Sequence, residues 1–406
     1  MTENLVFKHL LNEFPTDEEI RTIARRNNGT YDATKELIVK IYDDLKKAQA
    51  DILDDIKRND FNLFPDSNVT LGGFDINTPL SDYFLCHYNA DHLKDFKEED
   101  IALVTGFGPS NAPTAGTLSM IFRMLDFQRQ SRITVHAVIA DLGFINFREA
   151  HVQHIVDTSQ QFLRFIKALG FDESKGSLRT QNSLDLYRTF ALSSSVLSLA
   201  DFIGNMEATT SLYNNLNLQG KDFSTLIHYV ICVADILMPI FRDKKKMVLV
   251  MSGIEEFYFT TIARIVIARM KESDKGLSAI IPDNPQICSL FGRLIEGMFP
   301  FVKMSKSIPE SSINIGDSEA SIRSKIMNCG KRNEHVILDM MILASNWSPQ
   351  TKIACRKAYD EFIATGNDTQ WTKYKAEYTS FFIGIKHIWD ASAAPNTDIN
   401  QNIYCK

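Results

Sequence analysis

The sequence predicts an α/β protein, a parallel-sheet domain with helical regions at both ends. Three observations lead there. Between about residues 100 and 300, short apolar runs alternate with helix-length segments, the pattern of a parallel sheet covered on both faces. The segments before and after show helical periodicity without that alternation. The chain has 406 residues, 44% hydrophobic and 23% charged, which is enough for about two or three domains with real cores and too apolar for disorder.

Pro15-Thr16-Asp17-Glu18-Glu19 is a helix start, with a capping hydroxyl followed by acids. A second helical pattern, Ala33–Ile56, sets Leu37, Ile38, Ile41, Leu45 and Ile52 on one side. Asn27-Asn28-Gly29 and Phe61–Leu80 are rich in Asn, Asp, Pro and Gly and are expected to be connectors. The first strand is Ile101–Gly106, an apolar run stopped by glycine, with a loop and a helix over Leu118–Arg129 after it. A second strand covers Ile133–Asp141, a long helix about 149–169, a third strand lies near Leu178, and a fourth is Met247–Met251. Beyond Asp317 the periodicity is helical again, through Ile337–Ala344 and around Trp371–Trp389, before a polar, loose tail at Ala391–Lys406. The expected organisation is a helical N-terminal region over 1–81, the sheet domain over 82–316, a helical C-terminal domain over 317–390 and the tail over 391–406.

Bulk charge narrows the function. A net charge of −6 and a pI near 5.9 give no overall basic footprint for nucleic acid, so an RNA contact needs local patches. Arg242-Asp243-Lys244-Lys245-Lys246 is one candidate, and a run of this kind is also an ordinary solvated loop. Six cysteines, at 86, 232, 288, 329, 355 and 405, include no Cys-x-x-Cys pair, which argues against a zinc knuckle and for a reduced, cytoplasmic protein. His151 and His154 have no third ligand near in sequence, so no metal site is expected. The start, Met1-Thr2-Glu3-Asn4, lacks the basic residues and apolar core of a secretory leader, so none is expected, and no uninterrupted apolar run reaches the ~18 residues of a membrane span.

Two segments carry chemistry. The first strand runs into Gly106-Phe107-Gly108-Pro109-Ser110-Asn111-Ala112-Pro113-Thr114-Ala115-Gly116-Thr117-Leu118. A strand, a glycine-rich turn and a helix N-terminus make a generic phosphate cradle, because backbone N–H groups and the helix dipole favour anions. The other is Lys303-Met304-Ser305-Lys306-Ser307. Two lysines three positions apart on a flexible loop can close over a triphosphate and neutralise the charge of a departing pyrophosphate.

Together these segments resemble the class I aminoacyl-tRNA synthetases, in the tryptophanyl branch, with the tyrosyl enzymes more distant. The resemblance spans roughly 82–390. Lys303–Ser307 matches the ATP-handling loop, and the run Ile313–Ile322 continues it as in that branch. His228–Leu237 is similar to the signature Tyr-Pro-Val-Leu-Met-Ala-Ala-Asp-Ile-Leu, and Gly253-Ile254-Glu255-Glu256, then Arg264, stands where the family has Gly-x-Asp-Gln and a later Thr-Arg.

The resemblance implies a Rossmann-like catalytic domain that uses ATP with Mg²⁺, takes an amino acid and tRNA, dimerises and binds no membrane. It gives Lys303, Lys306 and Thr117 catalytic places, and Gly106, Gly108, Thr114, Gly116, Gly253, Glu255, Met304, Ser305 and Ser307 nucleotide places. Asp141, Asp235 and Glu256 fall in the amino-acid pocket. Asp235 either accepts the indole N–H of tryptophan or is held in an ion pair or cap within the fold. The dimer interface is expected among the apolar segments of 190–240.

The chain also departs from the family pattern. Thr114 and Thr117 stand where the family's His-x-Gly-His or His-x-Gly-Asn donors stand, Gly143 replaces a histidine, and Glu255-Glu256 replaces Asp-Gln. Neutral hydroxyls donate more weakly than charged imidazoles. Three readings result: a tryptophanyl-tRNA synthetase, a paralogue that adenylates an amino acid for a non-tRNA acceptor or a biosynthetic pathway, and a non-catalytic nucleotide- or tRNA-binding regulator.

Overall fold

The computed structural model describes residues 16–26, 29–36, 38–39, 43, 61–64, 69, 83–147, 151–202, 223–273, 276–298, 304 and 309–393. The chain divides into two compact units. One comprises 60–112, 120–292 and 386–406, and the other comprises 1–59, 113–119 and 293–385.

The first unit is built on a seven-stranded sheet: β1 (Asn62–Leu63), β2 (Phe84–Tyr88), β3 (Ile101–Phe107), β4 (Thr134–Ile139), β5 (Gly176–Thr180), β6 (Met247–Ser252) and β7 (Gln286–Gly292). The strand order is β1-β2-β7-β6-β3-β4-β5. From β7 to β5 all neighbours are parallel, while β2 pairs antiparallel with β7 and with β1. The sheet is therefore a parallel α/β sheet with an antiparallel margin, as the alternation predicts in its main part. Every residue of β6 is buried, and so is each residue from Ile101 to Thr105 of β3, so both faces are covered.

Among the described residues, four helices of this unit surround the C-terminal edge and the core beneath it. They are α3 (Asp141–Phe147), α5 (Leu184–Ser194), α6 (Phe223–Phe241) and α7 (Phe257–Glu272), with α1 (Asp17–Arg26), α2 (Ala115–Gln130) and α4 (Val152–Ala168) completing the chain order to this point. Val104, Val248, Val250 and Ile287 of the sheet form one core with Val233, Leu237 and Ile240 of α6 and Ile262 and Val266 of α7. On α4, Phe162 and Phe165 receive Trp389 edge-on, at 5.1 and 5.3 Å between ring centres.

Helix α6 is long and apolar enough, by length and composition, to cross a membrane, yet 67% of its apolar window is buried inside the fold. It is the central core helix of this unit. That placement bears on the expected dimer surface, because Val233, Leu237, Met238 and Ile240 are spent internally. Among the described residues, the large apolar side chains left exposed near it in sequence are Leu184, Tyr187, Leu199 and Phe223.

Three further features of this unit have physical causes. Asn62 and Leu63, expected within a connector, pair with His87 and Cys86 as a two-residue edge strand. Strand β7 carries a fully buried Ser289, whose hydroxyl is satisfied by Thr260 Oγ1 of α7 at 2.9 Å. The Arg242–Lys246 run fastens neighbouring segments together. Arg242 pairs with Asp243 and Asp185, Lys245 donates to the Glu99 carbonyl, and Lys246 pairs with Asp100.

In the second unit, Thr16 and Glu19 close a reciprocal cap on α1: the Thr16 N–H donates to Glu19 Oε2 at 2.8 Å and the Glu19 N–H to Thr16 Oγ1 at 3.4 Å. Most of Ala33–Ile56 lies outside the described residues. Downstream come α8 (Glu319–Met327), α9 (Glu334–Leu343), α10 (Pro349–Thr365) and α11 (Thr369–Ala391). Ser318 caps α8 and Ser348 caps α10, and Gly366 ends α10 in the left-handed conformation. A polar lock sits in the core of this unit. Glu334 accepts from Trp371 Nε1 at 2.7 Å and from Lys375 Nζ at 3.0 Å, all three side chains being buried.

Of the cysteines, Cys86, Cys288, Cys329 and Cys355 are buried free thiols and Cys232 is half-buried. Cys405 lies outside the described residues.

Candidate active site

Parallel strands deliver their C-terminal ends to one edge of a sheet, and ligands bind there where the strand order reverses. Here the reversal is at β3, whose neighbours are β4 on one side and β6 on the other. Gly106 and Gly108 lie at the end of β3, Asp141 comes after β4, Gln181 after β5, and Gly253 to Glu256 after β6. Chain order scatters these residues over some 150 positions, and the topology gathers them on one edge.

Asp141 opens α3 and is 3% exposed. Its Oδ1 accepts the Leu142 N–H at 2.9 Å and the Gln181 N–H at 2.8 Å. Burial, with a smaller push from the neighbouring Asp235, lifts the Asp141 carboxyl to about 6 despite those hydrogen bonds.

Asp235 stands on α6, which brings it to the ends of β4 and β5. One oxygen takes Arg179 Nη2 at 2.7 Å and the other takes Gln181 Nε2 at 2.6 Å. Burial raises its pKa, while Arg179 and Gln181 pull it down. The ion pair within the fold, one of the two roles open to this residue from sequence, is thus present. Each carboxylate oxygen still has a second lone pair for a further donor.

His228, Cys232 and Asp235 succeed one another at i, i+4 and i+7 along α6, so they share a face. His228 Nδ1 lies 3.8 Å from Cys232 Sγ. Burial, then Asp235 and Glu256, push the Cys232 thiol upward, which favours its protonated form.

Two glycines are dictated by close approach. A Cβ on Gly143 would sit 2.7 Å from His228 Nδ1 and 3.2 Å from Gln181 Oε1, so the imidazole on α6 occupies the space a side chain at 143 would need. A Cβ on Gly108 would sit 2.6 Å from Phe144 Cε2, so the ring after Gly143 lies against the glycine loop.

Beyond β6, Glu256 is half-buried just before α7, and its N–H donates to the Gly253 carbonyl. Glu255 lies in the short helical turn between them. Arg264 stacks its guanidinium 4.9 Å above the Tyr88 ring.

In the second unit, Thr114 is 8% exposed and caps α2, its Oγ1 accepting the Thr117 N–H at 3.5 Å. The two hydroxyl oxygens are 3.5 Å apart. Gly116 leaves only ordinary contact distance to Thr114 Oγ1. Thr114 also bridges to Asn314, in the strand-like piece that comes after the lysine loop. Asp317 there pairs with Lys325 at 2.8 Å. Met304 is half-buried, while Lys303, Ser305, Lys306 and Ser307 lie outside the described residues.

Sequence alone does not single out Arg179, Gln181 and His228, although it carries a signal for each. Arg179 and Gln181 alternate on one side of a strand end, and His228 shares a helix face with Asp235.

The raised Asp141 carboxyl makes a stability prediction. An unfolded carboxyl releases its proton near 3.8 and the folded one near 6, so folding holds a proton between those values. The Asp141 contribution therefore falls as pH rises from about 4 to about 6 and is constant above. Asp141→Asn removes this dependence while keeping an acceptor for both N–H donors. In urea unfolding, the variant should gain on the wild type by up to ~3 kcal/mol between pH 4 and pH 7. A difference that does not change with pH would rule out a buried, proton-holding Asp141.

The chain is similar to known proteins in sequence and in fold. Residues 96–384 match the sequence model of the tRNA synthetases class I (W and Y). A tryptophan–tRNA ligase of Methanocaldococcus jannaschii is 26% identical over 243 residues, which is 59% of this chain and 60% of that protein's length. The matched part thus spans less than two thirds of that relative. Two solved structures share the fold. The tryptophanyl-tRNA synthetase of Giardia lamblia superposes with a TM-score of 0.59 at 18% identity, covering 88% of this chain and 97% of that one. A tryptophanyl-tRNA synthetase of Encephalitozoon cuniculi bound to tryptophan gives 0.60 at 16% identity, covering 86% and 98%. With most of its length matched by that one model, the chain belongs to the class I tRNA synthetases of the W and Y family.

Proposed function

We propose that the protein activates an amino acid with ATP, forming an aminoacyl-adenylate and pyrophosphate, and passes the aminoacyl group to tRNA. The observation that carries this is the gathering of Gly106, Gly108, Asp141, Glu256 and, through Gln181, Asp235 at the C-terminal edge of the sheet. Tryptophan is the amino acid this reading favours. Asp235 is a buried anionic acceptor, and such a group discriminates an indole N–H from a phenyl ring because leaving it unpaired is costly.

The roles reflect the chemistry. The carboxylate of the amino acid attacks the α-phosphorus of ATP, and the bond to the bridging oxygen of pyrophosphate breaks. Lys303 and Lys306 neutralise the departing pyrophosphate, with Thr117 as a neutral donor and Mg²⁺ accompanying ATP. Gly106, Gly108, Thr114, Gly116, Gly253, Glu255, Met304, Ser305 and Ser307 hold the nucleotide. Asp235, Asp141 and Glu256 face the amino acid. Positioning and charge stabilisation are the whole of the catalysis. The setting is protein biosynthesis in the cytoplasm, by a homodimer whose partner face includes Leu199 and Phe223. Sedimentation at micromolar concentration should give twice the mass of one chain.

A second reading keeps adenylation and changes the acceptor. The feature favouring it is that the hydroxyls of Thr114 and Thr117 stand where the family's imidazole donors stand. ATP–pyrophosphate exchange with each of the twenty amino acids, and then charging of total tRNA, separates the readings. Exchange with tryptophan plus charging supports the first, and exchange without charging supports the second. No exchange with any amino acid would leave a non-catalytic binding protein.

A further inference from the structure

We propose that Gln181 is the positioning residue of the amino-acid pocket: its neutral side-chain amide holds the Asp235 carboxylate ready as an acceptor, while its backbone N–H ties down Asp141. This rests on reading the pocket around Asp235 as the amino-acid site. Gln181 is 0% exposed and touches three of the residues gathered there. Its backbone N–H donates to Asp141 Oδ1 at 2.8 Å, its side-chain Oε1 accepts the Gly143 N–H at 2.7 Å, and its side-chain Nε2 donates to Asp235 Oδ2 at 2.6 Å.

Only one orientation of the amide satisfies these contacts. Flipped, it would set a carbonyl against a carboxylate and an NH₂ against an N–H, which are two repulsions in a dry interior. Arg179, two residues earlier on the same side of β5, supplies the donor to the other Asp235 oxygen. Each oxygen of Asp235 thus has one fixed donor, and the carboxylate cannot turn. An N–H or ammonium of the substrate then meets an acceptor already oriented, so no ordering of the carboxylate opposes binding.

The neutrality of position 181 is the testable element. Asp141 and Asp235 are both buried carboxylates, and the charge of Asp235 raises the proton affinity of Asp141. Gln181→Glu keeps the shape and adds a third carboxyl. At 2.6 Å from Asp235 the new group can form a good contact only when it carries a proton. Protonated, it donates to Asp235 as the amide did. Ionised, it repels Asp235 and the pocket loses its orientation.

Charged and titratable groups facing this point are Asp141 on α3, Arg179 on β5, His228, Cys232 and Asp235 on α6, and Glu256 before α7. The wild type carries all of them, so the ratio of variant to wild type isolates position 181.

The experiment is tryptophan and ATP binding by the full chain, measured by calorimetry between pH 6.5 and 8.5, for wild type, Gln181→Glu and Gln181→Met. At pH 8.5, Gln181→Glu should bind tryptophan about 10- to 100-fold more weakly, the worth of a charge-assisted hydrogen bond. It should recover towards wild type as pH falls, with ATP affinity unchanged throughout. Gln181→Met should lose affinity to a similar degree with no recovery. A Gln181→Glu protein that binds tryptophan like the wild type at every pH overturns the inference alone. So does a loss of affinity that is the same at all pH values, since that describes mere packing. A wild type that binds no amino acid overturns the assignment of the pocket, and the inference with it.

Discussion

Lys306→Ala should slow adenylate formation by roughly 10²–10³-fold, the usual cost of losing a donor to developing negative charge. ATP affinity in the ground state should change little. The lysine is proposed to act on charge that appears only as pyrophosphate departs, and such contacts lower kcat and kcat/KM together while leaving binding intact. Single-turnover adenylate formation with saturating ATP reads the first quantity, and equilibrium ATP binding reads the second. A folded variant with an unchanged rate would remove the loop from catalysis. A variant whose whole loss lies in ATP binding would make Lys306 an anchor for the ground-state triphosphate.

Arg179→Met should cost the sheet unit a large part of its stability. Its guanidinium is 2.7 Å from Asp235, and the two side chains are only 13% and 8% exposed. Removing the cation leaves a buried carboxylate that still accepts from the neutral amide of Gln181 but has lost its counter-charge. Breaking such a pair costs ~3–5 kcal/mol, mostly the penalty of the charge left behind. The double variant Arg179→Met, Asp235→Asn should recover much of that loss, because a neutral amide needs no counter-charge and its oxygen can still accept from Gln181 Nε2. Urea unfolding of the three proteins measures both steps. If the single variant costs under ~1 kcal/mol, the pair behaves as a solvated surface bridge and Asp235 is not a dry acceptor.

The residues behind these effects differ in how visible they are in the sequence. Strand β3, helix α2 and strand β4 are legible because an apolar run, a glycine stop and a helical period succeed one another without interruption. Strand β7 is not, since Cys288 and Ser289 break its apolar run and Ser289 is accommodated only through Thr260 on a neighbouring helix. Strand β2 is five residues long with no strong turn before it, and it pairs with a segment some 200 positions away. Neither periodicity nor turn chemistry carries that information.

The site divides the same way. Gly108, Asp141 and Asp235 stand out by motif, whereas Gln181 is an ordinary glutamine until three partners converge on it. Gly143 is instructive in reverse. From sequence it is a missing side chain, and in the fold its place is filled by His228 from α6.

The buried thiols have a practical consequence. Cys86 and Cys288, both 0% exposed, lie on adjacent antiparallel strands of the sheet unit, and Cys329 and Cys355, 8% and 0% exposed, lie in the helical unit. A thiol reagent can reach these sulfurs only when the surrounding structure opens, so the rate of labelling at each cysteine is a clock for the opening of its own unit. Peptide mapping of a labelling time course would therefore time the two units separately in one tube. Ligands added to such a course would reveal which unit they quiet: an amino acid held at Asp235 should slow the labelling of Cys86 and Cys288 and leave Cys355 on its own schedule.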